Sequence, residues 1–94
     1  MKARLWRDQF FIRETDPAAL KQFFDKLLLE AGLSVVGFTD KHFEPQGYTA
    51  VWVLSESHFA VHTFPEQQET SCELSCCNLE KYNRFLELVD FYTI

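Results

Sequence analysis

The chain has 94 residues, a length that fits one domain, and the sequence predicts a single domain over residues 1–94. Its 9 basic and 14 acidic side chains leave a net charge of −5, which argues against a surface for nucleic acid. No apolar run approaches the ~20 residues of a membrane span, and the start "MKARLWRDQ" lacks a signal peptide's apolar stretch. We therefore expect a cytoplasmic protein that does not enter a membrane.

The first third of the chain predicts a strand followed by a helix. Residues 5–13 read as a strand, although their alternation is imperfect. Asp16 and Pro17 are typical of an N-cap and a first helical position, and Gly32 is a stop signal. Apolar residues recur between them at helical spacing: Leu20, Phe23, Phe24, Leu27, Leu28 and Ala31.

The middle of the chain alternates apolar stretches with turn residues. Strands are predicted at 33–39, 48–55, 59–64 and 71–77. The segment "FEPQGY" has the proline and glycine of a turn, and residues 56–58 (Glu-Ser-His) make a tight corner. The strands on either side of that corner should form an antiparallel hairpin.

A second helix follows, capped by Asn78, with Leu79, Tyr82, Phe85, Leu86 and Val89 on one stripe. Residues 90–94 ("DFYTI") could add a final strand. We predict an α+β fold, a two-layer sandwich in which an antiparallel sheet of about four strands carries two helices on one face, in the order β-α-β-β-β-α.

The predicted sheet has a second face that the two helices leave uncovered. Along the strand 48–55, Trp52 and Leu54 point one way while Val51 and Val53 point the other, so both faces are apolar. Aromatic residues make up 16% of the chain, which is a large apolar load for so small a monomer. We therefore expect a homodimer.

Alternation also sorts the polar side chains around the corner. His58 and His62 fall on one face of their strand, and Cys77 falls on the polar side of its strand while Cys72 and Cys76 point to the core. The three cysteines lie too close together to join distant segments, so reduced thiols are expected. With no Cys-x-x-Cys pair and no zinc spacing among the histidines, no metal site is predicted.

The segment "FEPQGYTAVWVLSESHFAVHTFPE" resembles the signature of the small prokaryotic S-adenosylmethionine decarboxylases, which are pyruvoyl enzymes of polyamine synthesis. The resemblance covers residues 43–78. It includes the Glu-Ser-His corner, a histidine five residues after the serine and a cysteine twenty residues after it.

The resemblance implies that the proenzyme cleaves itself between Glu56 and Ser57, into chains 1–56 and 57–94. Ser57 becomes a pyruvoyl group at the start of the second chain. This group is the cofactor that the resemblance implies, and it replaces pyridoxal phosphate as the electron sink.

The resemblance also assigns roles to other residues. Thr49 and His62 assist the processing, since a hydroxyl can hold the site by hydrogen bonding and an imidazole titrates near neutrality. Cys77 matches the cysteine that returns a proton to the product carbon.

The substrate implied is S-adenosylmethionine, on the route to spermidine. Phe43 and Phe64 match aromatic positions that sandwich adenine, and Glu66 matches a carboxylate that holds the ribose hydroxyls. The family usually has tryptophan at the second aromatic position, and phenylalanine should stack with less area.

Two alternatives remain. The first is a pyruvoyl decarboxylase of a basic amino acid such as ornithine or arginine, because members of this superfamily differ in the amine that they decarboxylate while they keep the processing corner. The other is a non-cleaving, non-catalytic paralogue that acts as a binding module. Taken singly, Ser57 reads as a turn residue and His62 as a histidine satisfied by hydrogen bonds.

Overall fold

A computed structural model describes residues 2–94, which form a five-stranded sheet and two helices. The elements in chain order are β1 (Trp6–Ile12), α1 (Pro17–Glu30), β2 (Val35–His42), β3 (Tyr48–Leu54), β4 (Ser57–Phe64), β5 (Glu69–Cys76) and α2 (Leu79–Val89). The predicted α+β class is confirmed. The strands predicted at 33–39, 48–55, 59–64 and 71–77 all form between the helices, so the sheet has five strands, one more than the order β-α-β-β-β-α includes.

The sheet is antiparallel throughout and has the order β1-β5-β4-β3-β2. The predicted hairpin is β3 with β4, in a register that pairs Leu54 with Ser57 and Thr49 with His62. On its other side β4 pairs with β5, where Ser57 lies opposite Cys76. Ser57 therefore lies at one end of the middle strand of the sheet.

Both helices begin at the residues that the sequence predicts. Asp16 Oδ2 accepts a hydrogen bond of 2.9 Å from the N–H of Ala19 at the start of α1. Asn78 Oδ1 does the same at the start of α2, accepting 3.0 Å from the N–H of Lys81. Just beyond α1, Gly32 has φ of +85°, a conformation that favours glycine and turns the chain toward β2.

The two helices cover one face of the sheet, and the core lies between these two layers. Four fully buried aromatic rings form its centre, Phe24 and Phe85 from the helices and Trp52 and Phe59 from the sheet. The closest pair is Phe24 and Phe59, whose ring centroids lie 4.5 Å apart. Apolar packing across this layer joins α1 and α2 to β3 and β4.

The opposite face, here called the open face, carries no helix within residues 2–94. Side chains on it include Val53, His58, His62 and Phe64, and Val53 and Phe64 are 45% and 41% exposed. The open face thus carries both apolar and polar side chains, and both histidines of β4 reach solvent there.

The segment 90–94 is not a full final strand. Residues Asp90–Tyr92 form a short 3-10 turn, after which a single bridge pairs Thr93 with Ile12. The N–H of Ile94 donates 2.9 Å to the carbonyl of Phe11. Within the described range 2–94, neither helix is long and apolar enough to cross a membrane.

Phe24→Ala should lower the free energy of unfolding by about 3–5 kcal/mol, because it leaves a cavity among the buried rings. Urea titration followed by circular dichroism measures the change. Leu29→Ala on the same helix is the control, since Leu29 is 75% exposed and its truncation should cost less than about 0.5 kcal/mol. Equal losses for both variants would contradict this assignment of the core.

Candidate functional site

The turn between β3 and β4 places Ser57 in an unusual backbone conformation. The turn residues are Ser55 and Glu56, and Ser57 and His58 already belong to β4 rather than to the corner that the sequence predicts. Ser57 has φ of 141°, a region that L-residues rarely adopt. Such a backbone typically costs about 1–3 kcal/mol and persists only when surrounding contacts hold it.

The hydroxyl of Ser57 lies among side chains of the open face. Its Oγ is 3.2 Å from Oγ of Ser75 and 3.3 Å from Nδ1 of His58. Nε2 of the same histidine is 3.5 Å from Oε1 of Glu73. The hydroxyl therefore has an imidazole nitrogen within reach, and a carboxylate lies on the far side of that ring.

The peptide carbonyl between Glu56 and Ser57 is also held. It accepts a hydrogen bond of 2.9 Å from the backbone N–H of Cys77, just beyond the end of β5. An N–H aimed at a carbonyl oxygen favours negative charge on that oxygen during attack at the carbon. The N–H of Cys77 thus has the position that a donor of an oxyanion hole would have for attack at this peptide bond.

The three thiols differ in burial. Cys72 and Cys76 are fully buried, and Cys77 is exposed next to the corner, as alternation predicts. Burial raises the pKa of the Cys72 thiol to about 12 and raises the pKa of Cys76 as well. Of the three, Cys77 is the thiol that solvent and a small molecule can reach.

The side chain of Glu56, which is nearly buried, forms an ion pair with the partly exposed Lys81 beneath the corner. Its carboxylate accepts 2.6 Å from Nζ of Lys81 on α2 and 3.1 Å from the N–H of Ser34 before β2. Burial alone would raise the pKa of Glu56, but these hydrogen bonds and the Lys81 charge lower it below its usual 4.5. The corner is thereby attached to α2 and to the segment before β2.

Thr49 and His62 form a separate pair on neighbouring strands, with Thr49 Oγ1 3.0 Å from Nδ1 of His62. Five residues separate His62 from Ser57 along β4, which corresponds to about 16 Å of strand. Within one chain, His62 therefore lies out of reach of the Ser57 hydroxyl.

The residues predicted to hold substrate lie at the same distant end of the hairpin. Phe64 ends β4, Glu66 follows in the 3-10 turn Pro65–Gln67, and Phe43 lies in the loop before β3. Gln46 of that loop donates 3.0 Å to a carboxylate oxygen of Glu66. Phe64 is seven residues, or about 23 Å of strand, from Ser57.

The predicted site residues thus fall into two groups in one chain. The first, here called the corner group, contains Glu56, Ser57 and Cys77. The second, here called the distal group, contains Thr49, His62, Phe43, Phe64 and Glu66. Among residues 2–94 no group of three or more His, Cys, Asp or Glu is arranged to hold a metal ion.

The sequence assigned no role to four residues that contact the corner group: Ser34, His58, Ser75 and Lys81. Alternation puts His58 and Ser75 on the polar face, and the β4–β5 register that makes them neighbours would have identified them. Ser34 and Lys81 meet Glu56 across 22 and 25 residues of sequence, so no local pattern indicates them.

Lys81→Met should reduce the dependence of stability on pH. Because the pKa of Glu56 is lower in the folded state, its stabilisation is present above the unfolded pKa and is lost as pH falls through the folded value. The measurement uses a Ser57→Ala background, which lacks the hydroxyl next to the Glu56 peptide bond and so remains one chain. Between about pH 7 and about pH 3, Lys81→Met in this background should lose less unfolding free energy than Ser57→Ala alone.

The matched control for that measurement is Lys26→Met, because Lys26 lies 3.9 Å from Glu30 in an exposed pair. Lys26→Met should lose as much unfolding free energy on acidification as the Ser57→Ala parent does. An unchanged loss in Lys81→Met would contradict the account of the Glu56 ion pair.

Comparison with known proteins places this geometry in a family. The sequence model of the S-adenosylmethionine decarboxylase family matches residues 13–91. An S-adenosylmethionine decarboxylase proenzyme of Symbiobacterium thermophilum is 37% identical over 71 residues, which are 76% of this chain and 54% of that protein. One of Bacillus cytotoxicus is 36% identical over 75 residues, 80% of this chain and 57% of that protein.

This chain therefore spans a little over half the length of those two relatives. The fold agrees with a crystal structure of the adenosylmethionine decarboxylase from Aquifex aeolicus, with a TM-score of 0.72 over 96% of this chain and 83% of that one. Identity to that structure is 17%, so this likeness concerns the fold alone. The family match covers most of the sequence and includes both groups of residues, and the chain belongs to the S-adenosylmethionine decarboxylase family.

Proposed function

We propose that this chain is a self-processing, pyruvoyl-dependent decarboxylase that acts on S-adenosylmethionine for spermidine synthesis. The observation that carries the proposal is the Glu56–Ser57 peptide, whose serine has φ of 141° and whose carbonyl accepts a hydrogen bond from Cys77. Family membership supports the same reaction. The two chains after processing would be 1–56 and 57–94.

Processing begins with attack of Ser57 Oγ on the carbonyl carbon of Glu56. The C–N bond breaks, and the carbonyl becomes an ester of the serine. A base then takes the α-proton of Ser57, the C–O bond breaks and Glu56 leaves as a carboxylate. The dehydroalanine that remains tautomerises to an imine, and water releases ammonia to leave the pyruvoyl group.

The surroundings of Ser57 fit a pyruvoyl group at the start of β4. The group would occupy the place of Ser57, next to the side chains of Ser75 and His58 and the exposed Cys77. Its carbonyl supplies an electrophile for the substrate amine and an acceptor for the electron pair left by carbon dioxide. Cys77 is the assigned proton donor, because its thiol is accessible at that end of the sheet.

The separation of the two groups supports an active site built from two copies of the chain. His62 lies about 16 Å along β4 from Ser57, too far to take the α-proton in the same chain. A twofold axis through the open face would put the distal group of one copy against the corner group of the other. Exposed Val53 and Phe64 supply apolar contacts for such a homodimer.

In that homodimer the distal group has two tasks. The Thr49 hydroxyl holds His62 through Nδ1, so that the other ring nitrogen can take the α-proton. Phe43 and Phe64 offer exposed rings for adenine, and Glu66 offers a carboxylate for the ribose hydroxyls. Gln46 holds Glu66 at one oxygen and orients it.

Wild-type protein should separate on denaturation into two chains that meet at Glu56 and Ser57, with the second chain blocked by a carbonyl group. Ser57→Ala should remain a single 11.1 kDa chain without decarboxylase activity, because it lacks the attacking oxygen. Intact mass after reaction with a hydrazide detects both features. Wild-type protein that stays uncleaved would favour the binding-module alternative.

The substrate can be identified in the same preparation by measuring carbon dioxide released from each candidate compound. S-adenosylmethionine should be decarboxylated, and ornithine and arginine should not. The opposite result would favour a decarboxylase of a basic amino acid.

A mixture of two inactive variants should regain processing if the site is shared between copies. Ser57→Ala lacks the nucleophile and His62→Ala lacks the base, but a mixed dimer holds one intact combination. With random exchange of copies at equal amounts, about half of the His62→Ala chains should be cleaved. Mass spectrometry of the mixture against each variant alone measures this, and absence of cleavage in proven mixed dimers would contradict a shared site.

A further inference from the structure

We infer that His58 is a second processing histidine, which takes the hydroxyl proton of Ser57 in its own chain during formation of the ester. The inference rests on the proposed self-processing. It concerns the first chemical step, whereas His62 is assigned to removal of the α-proton in the second.

The contact that carries the inference is between reacting atoms. Nδ1 of His58 lies 3.3 Å from Oγ of Ser57, the oxygen that attacks the Glu56 carbonyl. His62 lies about 16 Å away along the same strand. Of the two histidines on β4, only His58 reaches this hydroxyl within its own chain.

The other contacts of the cluster suit a base at Nδ1. Oε1 of Glu73 lies 3.5 Å from Nε2, which favours the tautomer with the proton on Nε2 and a lone pair on Nδ1. The Ser57 hydroxyl donates over 3.2 Å to Oγ of Ser75, which is almost fully buried. Rotation of this hydroxyl about its Cβ–Oγ bond turns the same hydrogen toward Nδ1 of His58, 3.3 Å away.

The proposed step balances without another reactant. The proton leaves Ser57 Oγ for Nδ1 of His58 as Oγ bonds to the carbonyl carbon of Glu56. The oxyanion forms where the N–H of Cys77 already donates. When the C–N bond breaks, the imidazolium returns the proton to the nitrogen of Ser57, and the Glu73 carboxylate stabilises the charged ring meanwhile.

His58→Ala should process about a hundredfold more slowly than wild type, which is the usual scale of a general base. The uncleaved chain that accumulates should still have the amide bond between Glu56 and Ser57, which hydroxylamine does not cleave. His62→Ala should instead accumulate the ester, which hydroxylamine cleaves after Glu56. Added imidazole should restore part of the rate of His58→Ala, because the side chain it replaces is 42% exposed.

His42→Ala is the matched control, since His42 is 67% exposed and lies on β2 away from the corner group. It should process at the wild-type rate. If His58→Ala lowers the denaturation midpoint, His58→Gln repeats the test with a polar side chain of similar size. Glu73 is a positioning residue, because it acts on Ser57 only through His58. Glu73→Gln should therefore slow processing in the wild-type chain and should not slow it further in a His58→Gln background.

The outcomes separate the two proposals. Cleavage of folded His58 variants at the wild-type rate, or accumulation of ester in them, would overturn the role of His58 and leave self-processing intact. A wild-type chain that stays an uncleaved, hydroxylamine-resistant amide would overturn self-processing, and the role of His58 with it.

Discussion

The backbone at Ser57 is the constraint on which the rest of the site depends. An L-residue at φ of 141° is held there against a cost of about 1–3 kcal/mol, and three contacts oppose the relaxation. The strand register fixes the residue from both sides, the N–H of Cys77 holds the preceding carbonyl, and Lys81 holds the Glu56 side chain. Each contact comes from a different element, so the folded sheet and α2 together maintain the strained peptide.

The sequence predicts those parts of this arrangement that depend on local patterns. Capping by Asp16 and Asn78, the helical stripes and the β3–β4 hairpin follow from residue spacing, and all are present in the fold. All five predicted strand segments are present, although the order β-α-β-β-β-α included only four of them, and residues 90–94 form a turn and a single bridge rather than a final strand. The Lys81 contact to Glu56 could not be predicted, because it depends on how α2 packs over the sheet end.

The spatial separation of the two groups depends on a strand that the sequence does predict, at residues 59–64. The structure extends that strand back to Ser57, which the sequence places in a corner, so the five residues from Ser57 to His62 are fully extended. A helix would have brought the two side chains within one to two turns, whereas a strand holds them about 16 Å apart. Extended geometry thus divides the predicted site residues into two groups, which the proposed homodimer would bring together across a twofold axis.

The strand order has a consequence for the proposed cut between Glu56 and Ser57. Strands β4 and β5 belong to residues 57–94, and they lie between β1 on one side and β3 on the other, both of which belong to residues 1–56. The shorter fragment is therefore inserted into the longer one with a hydrogen-bonded ladder along each flank. Breaking one peptide bond at the hairpin opens no sheet edge, so the cut molecule should hold together as a single folded unit without any covalent link between its halves.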